Sequence, residues 1–293
     1  MTIVRPTWST WSFLVYAGGL TTVLALGGWL AYLASRSGQG GDFGWAVLLF
    51  VLLAGIAEAF RRTGHRVTAG VFAYGAVAAG VVAAALLFAW FGWQVVARGP
   101  IGGFHPARLV LEALWVVLAA AALRRFRFPL LVAQLAGAIW LFVVDLVSNG
   151  GAWTAVVSVV VGLSFALAAV LVDGGERRPY GFWLHVAAGL AIGGAVLHWF
   201  GDDSIFQLVL VGLASVGYVL VARALQRSSW AVLGTAGLFV VADRLAGRWT
   251  SVHVFFGEGV EGPRLWVPPL VFMVLGALLV ALGLAVSRRP AAG

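Results

Sequence analysis

The chain has no cysteine and no lysine, and only 10% of its 293 residues are charged. Without cysteine there can be no disulfide, no thiolate metal site and no thiol nucleophile. All nineteen basic residues are therefore arginine, which is the codon usage of a GC-rich bacterial genome rather than a chemical requirement. Soluble domains carry roughly 25% charged residues, so the polar surface of a water-soluble fold is missing. Catalytic signatures are missing too: the chain holds no HExxH, GxSxG, Walker loop or DDxxD pattern. The glycine-rich SGQGGDFG at 37–44 follows no strand and is expected to be a loop between two spans, not a phosphate cradle.

Apolar residues fill the space instead. The chain is 62% hydrophobic with a mean hydropathy of +0.99. Runs of about 18 or more apolar residues recur from end to end, each long enough to cross a bilayer core of about 30 Å. Ten spans can be placed, at about 11–34, 44–61, 67–93, 106–124, 129–147, 152–173, 181–200, 204–225, 229–247 and 266–287. Open strands cannot sit in lipid, so the spans are helices. The expected fold is a single polytopic, all-α integral membrane domain over 1–293. The first run is too long for a signal-peptide core and reads as a retained helix.

Arginine placement sets the expected orientation. Thirteen arginines lie at the N-terminus and after even-numbered spans: Arg5, Arg61, Arg62, Arg66, Arg124, Arg125, Arg127, Arg177, Arg178, Arg223, Arg227, Arg288 and Arg289. Six fall on the other side: Arg36, Arg98, Arg108, Arg244, Arg248 and Arg264. The positive-inside rule then puts both termini in the cytoplasm of a bacterial inner membrane. Basic residues that flank apolar runs meet lipid headgroups, so membrane lipid is the expected partner and nucleic acid is not. Tryptophans such as Trp90, Trp93, Trp153 and Trp199 fall near span ends, as an interfacial belt requires.

The chain also repeats itself. AAGVVAAALLFAWFG at 78–92 returns as AAGLAIGGAVLHWFG at 187–201 without a gap, with Ala89 replaced by His198. ALRR at 122–125 resembles ALQR at 224–227, LFVVD at 141–145 resembles LFVVAD at 238–243, and RRP at 177–179 recurs at 288–290. The order is kept, so spans 3–6 align with spans 7–10 as repeats 67–179 and 180–290, with 1–66 an extra N-terminal hairpin. An even number of spans makes this a parallel tandem repeat. WSFLVYAGGL at 11–20 also resembles GFWLHVAAGL at 181–190, so five related hairpins are the alternative. In length and span count the chain resembles the drug/metabolite transporter group, which implies five-plus-five inverted repeats; the parallel duplication departs from that pattern and no motif carries over. Small-residue faces for close helix packing are expected at Gly189 with Gly193 and at Ala133 with Gly137.

Ionisable groups inside a membrane are expensive and rare, so each is a candidate site. Glu58 has Arg61 and Arg62 one turn away, and Glu112 follows Arg108 by four residues; both read as local ion pairs. Gln134 and Gln207 are placed to hydrogen-bond between helices. Asp145 has no cation within a turn on its own helix and must find its partner elsewhere. Asp243 follows an apolar run of only 230–242, too short for the bilayer core, so either it lies near the outer face with Arg244 or the helix breaks there. His198 lies one turn before Asp202 near the same face, where capping by Asp202 and Asp203 is also expected; His185 has no evident companion. The outer connection 247–266 carries VHVFF, suited to lie in the interface as a lid.

Glu112, Asp145, His198, Asp202, Asp243 and Arg244 thus form one candidate substrate or ion vestibule on the outer side. A small-solute or ion transporter follows from this reading. A non-catalytic subunit, bound to a protein partner or to a second copy, and a membrane enzyme built on these acids and His198 are the rivals. No cofactor, metal or catalytic residue is expected. Because the chain has no native cysteine, orientation can be probed with Ser37→Cys, Gly262→Cys and Ser228→Cys, one at a time. An impermeant thiol reagent should label intact cells at 37 and 262; labelling at 228 instead reverses the topology.

Overall fold

The computed structural model describes residues 18, 21–23, 25–28, 32, 38–93, 104–148, 150–174, 178–200, 204–250, 270–271 and 273–276. Among these residues there is no strand, and eight helices are long and apolar enough to cross a membrane. They are α1 Gly38–Arg62, α2 Arg66–Trp90, α3 Pro106–Phe126, α4 Leu130–Val147, α5 Gly151–Asp173, α6 Arg178–Phe200, α7 Ile205–Leu225 and α8 Ser228–Thr250. These correspond to the second through ninth spans. The spans at 11–34 and 266–287 fall largely outside the described residues, though the few described there are helical.

Local chemistry sets the helix ends. Between α1 and α2 the chain turns at Gly64, whose φ of 85° suits a residue without Cβ. Proline opens α3 in its first turn, where a missing N–H costs nothing. Arg127 and Gln226, each in the left-handed region, terminate α3 and α7. Ser204 caps α7 by accepting the Gln207 backbone N–H at 3.2 Å. The cap is therefore Ser204; Asp202 and Asp203 lie outside the described residues.

One expectation is corrected at α1. Residues 38–44, expected as a loop, form its first two turns. No proline interrupts them, and helix continuation satisfies backbone groups that a loop beside lipid would leave bare. A second correction concerns Ala133 and Gly137. Among the described residues no heavy atom lies within 4 Å of where a Cβ on Gly137 would stand, so none of the described helices closes on it.

The chain forms two compact units, Met1–Gly150 and Gly151–Gly293. In the first, α2 packs against α1, α3 and α4, and α3 packs against α4. In the second, α6 packs against α5, α7 and α8, and α7 packs against α8. Short turns make α1 and α2, α3 and α4, and α7 and α8 antiparallel. Each unit thus has an arginine-rich end, holding the α1–α2, α3–α4, α5–α6 and α7–α8 connections, and an opposite end. Many large apolar side chains face outward, including Leu171 at 76%, Phe206 at 72% and Leu213 at 63% exposure, as lipid-facing positions require. At the opposite end Trp90, Trp93 and Trp153 are exposed.

Glycine permits the closest backbone approach in the second unit. A Cβ on Gly234 of α8 would meet the Ser215 carbonyl oxygen of α7 at 2.6 Å. Backbone cannot swing aside as a side chain can. Gly234→Ala should therefore destabilise the chain by roughly 1–3 kcal/mol. Gly217→Ala, with nothing within 4 Å, should stay within about 0.5 kcal/mol of the parent. Thermal unfolding in detergent compares the two.

Candidate functional site

At the opposite end of the first unit, α3 begins beside the end of α4. Arg108 lies in the first turn of α3 and Asp145 in the last turn of α4. The Arg108 Nη2 forms an ion pair with Asp145 Oδ2, while its Nε contacts Glu112 Oε1 at 3.3 Å. The side chains are 15%, 0% and 7% exposed for Arg108, Asp145 and Glu112. The local Arg108–Glu112 pair is as the four-residue spacing implies. Asp145 indeed takes its cation from another helix, and that cation is the same Arg108.

Glu112 Oε2 is buried and has no hydrogen-bond partner, and so is the indole Nε1 of Trp115, three residues further along α3. Gln134 Nε2 donates to the Tyr74 carbonyl at 3.4 Å, joining α4 to α2. The bonds of Gln207 include a local one, since it accepts from Ser204 Oγ at 2.6 Å.

The remaining candidates belong to the second unit. His198 is exposed, and its Nε2 lies 3.1 Å from the Gly151 carbonyl, linking the end of α6 to the start of α5. That contact gives His198 a structural part to play. Helix α8 runs unbroken through Asp243, which is 1% exposed, while Arg244 turns outward. Successive residues on a helix point about 100° apart, so one neighbour is buried and the other is not. Asp202 and the segment 251–269 lie outside the described residues. Glu112 and Asp145 are thus brought together; His198, Asp243 and Arg244 stand in the other unit.

The arginine-rich ends carry two further clusters. In the first unit Glu58 accepts from Arg61 Nη2 at 2.7 Å, Arg62 Nε at 3.1 Å and Arg125 Nη2 at 2.9 Å. In the second, Asp173 at the end of α5 accepts from Arg227 Nη2 and from its Nε at 3.0 Å, and contacts His185 Nε2 at 2.9 Å. His185 is fully buried and accepts the Trp230 indole N–H on Nδ1 at 3.1 Å. An imidazole that accepts on Nδ1 carries its proton on Nε2, so it donates to Asp173. His185 therefore has companions that the sequence did not disclose. The only trace was an acid closing one span and an arginine opening another at the same end.

Among α6, α7 and α8 lies a largely apolar cavity of about 250 Å³, walled by Gly189, Gly193, Gly237, Ser215, Tyr218 and Leu233. The Tyr218 hydroxyl donates to the Gly189 carbonyl at 2.8 Å. Gly189 and Gly193 do serve close packing, here against Leu233 and Tyr218. Among the described residues no group of three or more acids or histidines could hold a metal ion.

These features define a polytopic helical membrane protein with paired charges in its interior. Comparison with known proteins finds no matching family model, no curated relative and no solved structure.

The Asp173 network generates a stability prediction. The Arg227–Asp173 pair is only partly buried, with side chains 12% and 22% exposed, so breaking it costs less than the roughly 3–5 kcal/mol of a fully buried pair, while leaving the buried His185 acceptor unsatisfied costs about 1–3 kcal/mol. Asp173→Asn should lower the unfolding temperature in detergent more than Trp230→Phe does, and both should lower it. Unchanged melting in both variants would remove the network from the stabilising interactions.

Proposed function

We propose that the chain is a small-solute or ion transporter whose working groups are the buried polar residues at the end opposite the arginines. The observation that carries this is the Arg108–Asp145–Glu112 cluster, almost wholly withdrawn from solvent. Buried ionisable groups between membrane helices mark ion and substrate paths more often than packing. In the second unit, taken by itself, Asp243 on α8 is the buried acid that follows the same LFVV segment.

The four-span duplication belongs to the same reading. Its support is the packing of the matching helices α2 and α6, each of which touches the helix before it and the two that follow. Glu58 in the N-terminal hairpin binds Arg125, and Asp173 at the end of the first copy binds Arg227, the arginines that close the similar ALRR and ALQR segments. Parallel repeats of this kind are a transporter architecture. The orientation, with the arginine-rich ends in the bacterial cytoplasm, follows the positive-inside rule.

Purified chain in proteoliposomes, loaded with a pH-sensitive dye, tests the proposal. It should be challenged with organic cations, amino acids, sugars and metal salts under an imposed gradient. Flux is expected for one of these classes, reduced at least about tenfold by Asp145→Asn, a loss of about 1.4 kcal/mol, and little changed by Arg62→Ala. Absence of flux with every class, together with a stoichiometric protein partner in mild detergent, selects the subunit reading.

A further inference from the structure

Three helix faces enclose the cavity of the second unit. Helix α7 lines it from Val211 to Tyr218 and α8 from Leu233 to Val240, each at the i, i+3, i+4, i+7 spacing of a single face. Helix α6 contributes Gly189 and Gly193, which have no side chains to fill the space. Tyr218 and Leu233 close over Gly189, so the concavity lies beyond that contact, around Gly193.

The chemistry of the walls selects the occupant. Ser215 and Tyr218 carry the only polar side chains among the described wall residues. The Ser215 hydroxyl donates to the Val211 carbonyl at 2.8 Å, and the Tyr218 hydroxyl donates to the Gly189 carbonyl at 2.8 Å. Neither has a proton left to offer a ligand. A buried water needs about two to four polar partners, which these walls do not supply. They suit hydrocarbon.

The described part of the last span lies elsewhere. Leu275 packs with Leu238 and Ala242 of α8 and with Val216 of α7. At about 100° per residue those positions point roughly away from the cavity faces of α7 and α8. At the rim, Leu190 of α6 and Ala236 of α8 are exposed. Both stand near the middle of helices of membrane length, a depth at which the surrounding medium is acyl chain.

We infer that this cavity binds one acyl chain of a membrane phospholipid, inserted sideways from the bilayer between α6 and the α7–α8 pair. At about 30 Å³ for a water-sized group, the 250 Å³ cavity takes about eight methylenes. That is the terminal stretch of a chain, the part that reaches mid-membrane depth. The hydrophobic effect adds nothing, because the chain leaves one hydrocarbon for another. Contact favours entry instead: wall atoms without neighbours lose dispersion energy, and an inserted chain restores it. The lipid would sit there whether or not the protein moves a solute.

Photolabelling of the full chain in phosphatidylcholine–phosphatidylglycerol vesicles tests the site. The vesicles carry a phospholipid with a diazirine near the end of one acyl chain, and adducts are mapped by mass spectrometry. Adducts are expected on Val211 and Ser215, which are 4% and 6% exposed and beyond the reach of lipid that stays at the protein surface. A Cβ at position 193 would meet only Tyr218, at 3.4 Å, so Gly193→Leu extends into the cavity. It should reduce those adducts about tenfold and leave adducts on outward Leu163 unchanged. Gly217→Leu, on an open face of α7, should change neither. Ala236→Leu at the exposed rim serves if Gly193→Leu fails to fold. Adducts on Leu163 with none on Val211 or Ser215 overturn the site, as do adducts there that both filling variants retain. Labelling of Val211 and Ser215 by a free diazirine-bearing arene but not by the phospholipid overturns the acyl chain as occupant. A disulfide joining two copies through Leu190→Cys overturns it as well, because a second copy then covers the rim.

Discussion

Hydrocarbon offers no hydrogen bonds, and every feature of this chain answers to that. Backbone amides must find partners within their own segment, so each described span is a helix, and even the glycine-rich 38–44 is drawn into one. The same constraint governs side chains. With few charged residues and many apolar ones, each buried acid must meet a base from whatever helix can supply it. The fold can be described as a set of such meetings, with leucine, valine and phenylalanine turned outward.

The two ends of each unit solve that problem differently. At the arginine-rich ends bases outnumber acids, and Glu58 is surrounded by Arg61, Arg62 and Arg125. Surplus positive charge there can face headgroups and water at little cost. In the second unit the solution is more internal: Asp173 ties α5 to Arg227 and to the buried His185, which Trp230 fixes from the other side. At the opposite end of the first unit the balance is reversed. Arg108 serves two acids, and all three side chains are withdrawn from solvent.

His198 shows how a conspicuous substitution can be ordinary. It replaces Ala89 of the matching segment and invites a functional reading, yet its ring reaches the Gly151 carbonyl and joins two helix ends. Asp145 and Asp243, which follow the shared LFVV segment, are the opposite case. Both are withdrawn from solvent in their own units, where an ionisable group has to be held by other helices.

Much was legible in the sequence because it depends on spacing along one helix. The apolar runs specify helices of membrane length; Arg108 with Glu112 and Glu58 with its two following arginines are neighbours on any α-helix, wherever that helix sits. The need of Asp145 for a distant partner was legible for the same reason, since no base lies within a turn of it. Which base it finds was not, because that depends on how α3 and α4 are rotated against each other. The same holds for His185, whose partners come from α5, the α7–α8 turn and α8, and for Gly137, whose small size suggested a neighbour that the packing does not supply. Sequence period determines what one helix presents; only tertiary packing decides what that face meets, because helix rotation is set by side chains from several segments at once.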